Sequence, residues 1–255
     1  MNKTKENLII VPVGSPIDKF IKQVNYPMDV KDHWRWAHKE RNYEVIAVQY
    51  GDFVLEEFTY DHIIKMKGFK WPIIKELSKQ FDMTKWNYIG FYDDDVILDW
   101  KKMNRSFEIA KDKNFKAFQI SLEKGSESQY PCTQQMNGIS YTYTNFIEIM
   151  CPVISTSVLP QFIELANAYD VYTGWGLDYV LAEYLDIKPA VIHEISMFHP
   201  PRPDTGSGYD KSKAFTEMNL LLNTVFPDEM KKQGRKIINN YSNFTDETLE
   251  LFIKI

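Results

Sequence analysis

Residues 86–95, WNYIGFYDDD, decide the fold because an apolar run stops abruptly at three aspartates. Aromatic and β-branched residues dominate the first seven positions, which predicts a buried strand over residues 86–92. The carboxylates of Asp93, Asp94 and Asp95 follow at the strand's carboxyl end, where open α/β sheets bind ligands. Their mutual repulsion needs an offsetting cation or a solvated turn. We expect a divalent metal with phosphate as co-ligand, and the solvated turn is the alternative.

Strand and helix patterns alternate on both sides of this stretch. Apolar runs bounded by turn residues predict buried strands at residues 8–13, 43–50, 115–122 and 190–198. Helical spacing of apolar residues predicts helices at 71–81, 100–111 and 157–168, and another that begins at 175. Less regular patterns predict a weak helix at 58–65 and one long strand at 140–150. The alternation predicts an α/β fold with βαβ units and a mixed, mostly parallel central sheet flanked by helices.

Length and composition fit one large domain. The chain has 255 residues, 44% of them hydrophobic, and a formal net charge of -5 at pH 7. We predict a Rossmann-like domain over residues 1–208 and a helical C-terminal extension over 209–255 that packs on it. The acidic balance, without a long basic block, argues against nucleic acid as the main partner.

The chain has the composition expected of a cytoplasmic protein. Its two cysteines, Cys132 and Cys151, have neither metal-finger spacing nor a disulfide framework, which fits a reducing compartment. No apolar run approaches the roughly 20 residues that a membrane span needs. We therefore expect no transmembrane segment, and at most a peripheral contact with the inner face of the membrane.

A second motif, YTGWGLDY at residues 172–179, places an acid close to a tryptophan. Its glycines permit close backbone approach, and the flat apolar face of Trp175 suits the C–H side of a sugar ring. Asp178 lies in the first turn of a predicted helix, where a carboxylate can act as a general base toward a hydroxyl group. The alternative is a tight turn with a core tryptophan and an aspartate favoured by the helix dipole.

Two histidines belong to the predicted strand at 190–198 or follow it directly. His193 and His199 lie an even number of positions apart, so both can face the same side of a strand. At the strand's end, the neutral imidazole of His199 can ligate a transition metal such as Mn²⁺. We expect His193 to be a hydrogen-bonded structural residue.

Two basic side chains are candidates for binding an anion. Lys70 lies just before a predicted helix N-terminus, a position that can receive an anionic group. Arg202 belongs to a loop rich in proline and glycine that could close over phosphates. A solvated lysine and an ordinary exposed loop are the alternatives.

In combination, these motifs resemble glycosyltransferases of the GT-A fold. The triplet at 93–95 resembles their D-x-D metal site, and GWGLD at 174–178 resembles the G-W-G-x-(D/E) segment of β-1,4-galactosyltransferase-like enzymes. A closer resemblance is to the family named domain of unknown function 707. Its acidic triplet, a segment like residues 146–155, its G-W-G-(L/M)-D motif and its strand ending in histidine follow in the same order here.

The resemblance implies a role for each candidate residue. Asp93 and Asp95 would bind Mn²⁺ or Mg²⁺ and the diphosphate, and His199 would complete the metal shell. Because the related family often has Glu at the centre of its triplet, the pair that binds the metal stays open. Asp178 would be the catalytic base. The candidates for binding the nucleotide-sugar donor are Val11, Pro12, Gly14, Ser15, Lys70, Asp93, Asp94 and Arg202. The candidates for binding the acceptor or the sugar are Glu148, Trp175 and Gly176.

The expected activity is therefore metal-dependent transfer of a sugar from a nucleotide sugar, with a UDP-sugar favoured, to a hydroxyl group. The acceptor would be a glycan or lipid-linked glycan in bacterial surface polysaccharide synthesis, and direct displacement would invert the anomeric carbon. A metal-dependent nucleotidyltransferase or phosphohydrolase is one alternative. A catalytically inactive carbohydrate-binding subunit is another.

Overall fold

The computed structural model describes residues 5–55, 60–127, 130–201 and 210–226. Within those ranges the strands are β1 Asn7–Val13, β2 Tyr43–Gln49, β3 His62–Lys65, β4 Tyr88–Phe91, β5 Ala117–Leu122, β6 Tyr141–Tyr143, β7 Val153–Ser155 and β8 Ala190–Met197. The helices are α1 Ile17–Val24, α2 Lys70–Gln80, α3 Trp100–Lys113, α4 Leu159–Ala168, α5 Leu177–Tyr184 and α6 Lys211–Val225. None of the helices in the described ranges is long and apolar enough to cross a bilayer.

The strands form one sheet in the order β3-β2-β1-β4-β7-β5-β8-β6. β1 pairs in parallel with both β2 and β4, β2 pairs in parallel with β3, and β5 pairs in parallel with β8. The short strand β7 lies antiparallel between β4 and β5, and β6 lies antiparallel to β8 at the edge. The predicted α/β class with a mixed, mostly parallel central sheet is confirmed.

Helices cover both faces of the sheet because the central strands are apolar on both sides. In β1, Ile9 and Val11 belong to the cluster that includes α1 and α3, whereas Leu8 and Ile10 belong to the cluster that includes α2, α4 and α5. These four side chains are fully buried. A strand buried on both faces reads as a continuous apolar run, which is why β1 and β4 are recognisable in the sequence.

Two predicted elements are wrong. Residues 58 and 59 lie outside the described part of the predicted helix at 58–65, and His62–Lys65 forms the parallel edge strand β3. Its side chains are half-buried or exposed, so no clear period distinguishes it from a helix.

The predicted strand at 140–150 ends after Tyr143, and the chain then turns. The Thr144 hydroxyl accepts a hydrogen bond from the Phe146 amide, and the Cys151 amide donates to the Glu148 carbonyl. Local hydrogen bonds of this kind compete with a strand ladder. The turn carries Glu148 toward the carboxyl end of β4, and the chain then forms β7, which the sequence reading missed.

Helix α6 is the described part of the predicted C-terminal extension. Leu221 is fully buried and packs in the same cluster as Leu177 and Val180 of α5. Residues 209 and 227–255 lie outside the described ranges, so the division at 208 stays a prediction.

Candidate functional site

The three aspartates that follow β4 contact three different partners. Asp93 accepts a hydrogen bond from the Lys70 ammonium at 2.9 Å, and the same ammonium donates to the carbonyl oxygens of Ile149 at 2.7 Å and Met150 at 3.1 Å. Lys70 is the first residue of α2, and its side chain is 12% exposed. Lys70 therefore joins the end of β4 to the turn that precedes β7.

Asp94 joins the same strand end to the loop after β1. Its carboxylate accepts a 2.7 Å hydrogen bond from the Gly14 amide and lies 3.9 Å from the guanidinium of Arg35. The Arg35 side chain is fully buried. Burial raises the pKa of Asp94, while the charge of Arg35 opposes that shift. Sequence reasoning missed Arg35, because nothing in a local pattern shows that an arginine is buried beside a distant carboxylate.

Asp95 lies beside His199. The Nε2 atom of His199 is 3.5 Å from an Asp95 carboxylate oxygen, and its Nδ1 atom lies 3.0 Å from the Glu127 carbonyl oxygen. Reciprocal backbone hydrogen bonds between Ile97 and Phe198 bring the two segments together. In the described ranges, however, no group of three or more His, Cys, Asp or Glu side chains is arranged to hold a metal ion.

The low exposure of the triplet argues against a simple solvated turn. The side chains of Asp93, Asp94 and Asp95 are 33%, 21% and 19% exposed. Each lies within 4 Å of a cationic or ionisable nitrogen. The charges of Lys70 and Arg35 offset those of Asp93 and Asp94, which reduces the repulsion within the triplet.

A cavity of about 440 Å³ opens at this edge of the sheet, and we call it the strand-end cavity. Pro12, Lys70, Asp93 and Asp94 line it, together with aromatic residues such as Tyr50. Of the other donor-binding candidates, Gly14 contacts Asp94 as described above. Val11 is fully buried in the core, and Ser15 is half-buried and does not line this cavity. Arg202 lies outside the described residues.

A second cavity of about 650 Å³ adjoins the first, and we call it the Asp178 cavity. The predicted acceptor-binding residues Glu148, Trp175 and Gly176 all line it, with Asp178 and His199. The two cavities share three lining residues, Asp93, Ile149 and Thr173. The sequence-predicted carboxylates at residues 93, 148 and 178 all line the Asp178 cavity, although their segments are far apart in the chain.

Asp178 is held at the start of α5 by backbone amides. Its Oδ1 atom accepts hydrogen bonds from the amides of Gly176 at 3.2 Å and Tyr179 at 3.1 Å. Its side chain is buried, and burial first, then the nearby charge of Glu148, raises the pKa of Asp178 to about 7. A carboxylate of this basicity can accept a proton near neutral pH.

Polar side chains from an irregular segment, the turn before β7 and helix α5 line the cavity with Asp178. The hydroxyl groups of Tyr130 and Tyr179 lie 2.8 Å apart, and both rings line the Asp178 cavity. Glu148 accepts a hydrogen bond from the Thr133 hydroxyl at 2.5 Å. Sequence reasoning did not single out Tyr130, because no pattern shows which irregular segment folds against a site.

The two glycines of the GWG motif permit contacts that no side chain would allow. Gly174 has φ 91°, and a Cβ atom there would lie 2.0 Å from Nε1 of Trp71. Gly176 has φ 100°, and a Cβ atom there would lie 3.0 Å from the Met218 Cα atom. Left-handed backbone and close packing both require glycine at these positions. The motif therefore positions Asp178 and Trp175 between α2 and α6.

His193 has the structural role that the sequence predicts. Its Nε2 atom lies 2.9 Å from the Thr142 hydroxyl, and its Nδ1 accepts a hydrogen bond from the Met136 amide at 3.3 Å. Burial lowers the pKa of His193 to about 4, so the ring stays neutral at physiological pH.

Solved structures of TarS from S. aureus have a similar fold. TarS 1-349 matches with a TM-score of 0.55 and 10% identity over 95% of this chain and 73% of that one. TarS 1-349 in complex with UDP-GlcNAc matches with a TM-score of 0.54 and 10% identity over 92% and 71% of the two chains. The complex with UDP gives a TM-score of 0.51 and 10% identity over 94% and 72%.

At this identity the likeness shows the fold, and the predicted GT-A-like fold is confirmed. No family model matches the chain, and no curated protein does either. The resemblance to the domain of unknown function 707 family and to galactosyltransferase-like enzymes stays a prediction.

Proposed function

We propose that this protein transfers a sugar from a nucleoside diphosphate sugar to a hydroxyl group of a glycan or glycoconjugate. One observation carries the proposal: two adjoining cavities share Asp93, one lined by Lys70 and the other by Asp178. A transferase needs an anion-binding site for the leaving diphosphate next to a base for the acceptor. The similarity in fold to TarS, solved with UDP and with UDP-GlcNAc, supports a UDP-sugar as the donor.

In this proposal the strand-end cavity binds the donor. The Lys70 ammonium lies at the N-terminus of α2, where backbone amides and the helix dipole also favour an anion. Pro12 lies near the end of β1 and Gly14 in the turn that follows, on the side where the nucleoside would bind. Asp94 holds this turn against the end of β4 by accepting a hydrogen bond from the Gly14 amide. This hydrogen bond fixes the spacing between the turn after β1 and the end of β4.

We also propose that a divalent cation, Mn²⁺ or Mg²⁺, takes part. Asp95 and His199 fit such an ion, because a carboxylate and a neutral imidazole 3.5 Å apart can both ligate Mn²⁺. Asp93 is the third candidate, although its carboxylate contacts Lys70. A bound cation would offset charge on the leaving diphosphate.

Asp178 is the proposed catalytic base in the second cavity. Its carboxylate takes the proton of the acceptor hydroxyl as the acceptor oxygen attacks the anomeric carbon. The bond between that carbon and the diphosphate oxygen breaks, and the nucleoside diphosphate leaves with the bonding electrons. Attack from the side opposite the leaving group inverts the anomeric carbon. The pKa of about 7 suits this proton transfer at neutral pH.

The biological setting is part of the same proposal. A hydroxyl-bearing glycan or lipid-linked glycan of a bacterial surface polysaccharide would be the acceptor. The reaction would take place in the cytoplasm, with peripheral contact at the inner face of the membrane when the acceptor is lipid-linked.

Calorimetric titration with UDP, GDP and CDP, each with and without Mn²⁺, tests the donor site. We expect UDP to bind most tightly in the presence of Mn²⁺, and Asp95→Ala to remove the effect of the metal. Asp112→Ala is the control, since the Asp112 side chain is 71% exposed on α3. Absence of binding by all three nucleotides would contradict the proposal.

Product analysis with UDP-sugars separates the competing activities. Release of UDP together with a glycosylated product supports transfer. Release of inorganic phosphate or pyrophosphate would instead favour a phosphohydrolase or nucleotidyltransferase. Sugar binding without turnover would favour a catalytically inactive carbohydrate-binding subunit.

A further inference from the structure

Helix α6 is fixed to the GWG motif by a single carboxylate. Glu217 accepts hydrogen bonds from the backbone amides of Tyr172 at 2.9 Å, Thr173 at 3.0 Å and Gly174 at 2.8 Å. It also accepts one from the Thr173 hydroxyl at 3.0 Å. Charge-assisted hydrogen bonds are strong, and four of them define the position of the helix relative to the motif. The helix and the motif therefore form one rigid wall.

One face of α6 looks into the Asp178 cavity. Lys211, Phe215 and Met218 line that cavity, and their spacing of four and three residues places them on one side of the helix. Ala214 and Leu221, on the neighbouring side, are fully buried in the protein. The cavity-lining face is thus distinct from the face that packs in the core.

Phe215 and Trp175 form an apolar corner in this wall. Their ring centroids are 5.1 Å apart and their planes are inclined at 82°. The Phe215 side chain remains 50% exposed, and Trp175 is half-buried. Two aromatic faces at nearly a right angle can contact the C–H face and the edge of a sugar ring at the same time.

The corner lies in the same cavity as the proposed base. Asp178 is three residues after Trp175 in the chain, and Tyr130 and Tyr179 offer hydroxyl groups beside it. A sugar placed on the aromatic corner would therefore have hydroxyl groups within the polar part of the cavity. A cavity that combines apolar and polar lining groups in this way is typical of sites that orient a ligand.

We propose that α6 supplies the acceptor subsite and that Phe215, set against Trp175, is its specificity-determining contact. The ligand is a pyranose unit of the acceptor with an uninterrupted C–H face, stacked on the aromatic corner with one hydroxyl directed to Asp178. This inference rests on the proposed transferase function, because it assigns the second substrate of that reaction.

Saturation-transfer NMR of the full chain with UDP present tests the subsite. The probes are the methyl β-glycosides of glucose, galactose and N-acetylglucosamine. We expect transfer of saturation to the ring C–H protons of at least one glycoside with the wild type. Phe215→Ala should reduce that signal at least fivefold, and Phe215→Tyr should retain it.

Leu220→Ala is the matched control. Leu220 lies on the same helix and is 53% exposed, close to the exposure of Phe215, but it does not line the cavity. Its substitution should leave the signal unchanged. Equal UDP affinity of all four proteins by calorimetry would show that they are folded and that the donor site is intact.

Two results would overturn the inference. One is the absence of saturation transfer to any of the three glycosides with UDP-bound wild type. The other is an undiminished signal in Phe215→Ala. Failure of the proposed function itself has a different signature, because UDP would not bind the wild type. Sugar contact at the corner without UDP binding would show a carbohydrate site that is not an acceptor subsite.

Discussion

The strand-end cavity and the Asp178 cavity adjoin each other but are built in different ways. In the first, regular elements meet at the carboxyl ends of β1 and β4 and the start of α2, and Asp93, Asp94 and Lys70 lie at those ends. In the second, an irregular segment and the GWG motif meet the added helix α6. One cavity is a product of sheet topology, whereas the other depends on particular loop contacts.

Their electrostatics differ in the same way. Asp93 and Asp94 each have a basic side chain within 4 Å. The described hydrogen bonds of Asp178 come from backbone amides, and burial raises its pKa to about 7. The charge of Arg35 opposes the rise that burial causes in the pKa of Asp94, whereas burial and the charge of Glu148 both raise the pKa of Asp178. One cavity is therefore suited to bind charge and the other to move a proton.

The largest expected effect is that of Asp178→Asn. Asn keeps an oxygen that can accept from the Gly176 and Tyr179 amides but cannot act as a base. We expect turnover, measured as UDP release with an acceptor, to fall by about 10²- to 10⁴-fold with UDP affinity unchanged. Glu183→Gln, an exposed position on α5, is the control. Near-full activity of the Asp178 variant would show that Asp178 is not the catalytic base.

The next effect tests whether loop contacts build the Asp178 cavity. Gly174→Ala would place a Cβ atom 2.0 Å from Trp71 Nε1 at φ 91°. Gly125 has a similar φ of 93°, but a Cβ atom there would meet nothing within 4 Å. We expect Gly174→Ala to lower the free energy of unfolding in urea by about 2–5 kcal/mol, against about 1 kcal/mol for Gly125→Ala. Equal losses of unfolding free energy in the two variants would mean that the positive φ, and not the contact with Trp71, causes the loss.

A smaller effect is expected on the donor side. Lys70→Met removes the ammonium that contacts Asp93, and we expect UDP affinity to fall by about 10- to 100-fold, the usual range for a charge-assisted hydrogen bond. Lys75→Met on the same helix is the control, because its partner Asp170 has a side chain that is 97% exposed. Equal UDP affinities of the two variants, measured by calorimetry, would remove Lys70 from the donor site.

The smallest expected effect is a change in pH dependence. Asp178 must be ionised to accept a proton, so activity should rise with pH through its pKa of about 7. The charge of Glu148 is the second cause of that raised pKa, after burial. Glu148→Gln should therefore move the acidic limb of the kcat/KM profile to lower pH. If the acidic limb of the Glu148→Gln profile stayed at the wild-type pH, Asp178 would not be the group whose titration sets that limb.

Much of the strand-end cavity could be predicted from the sequence. The apolar strands β1 and β4 are continuous runs, and the residues that follow them had to meet at one edge of a parallel sheet. The resemblance to GT-A glycosyltransferases implied that His199 would join Asp93 and Asp95 at one metal site, and that role stays a prediction. The edge strand β3 and the turn after Tyr143 were not predicted, because their local patterns fit more than one structure.

The sequence by itself determined the α/β class, the acidic strand end and the glycines that position Asp178. Each of these is encoded by neighbouring residues, through apolar periodicity or through the backbone freedom of glycine. Only the tertiary structure decided which cation meets each carboxylate, as with Lys70 and Arg35, and that α6 closes the Asp178 cavity. Contacts between distant segments depend on the order of strands and on the packing of loops, and no local pattern records either.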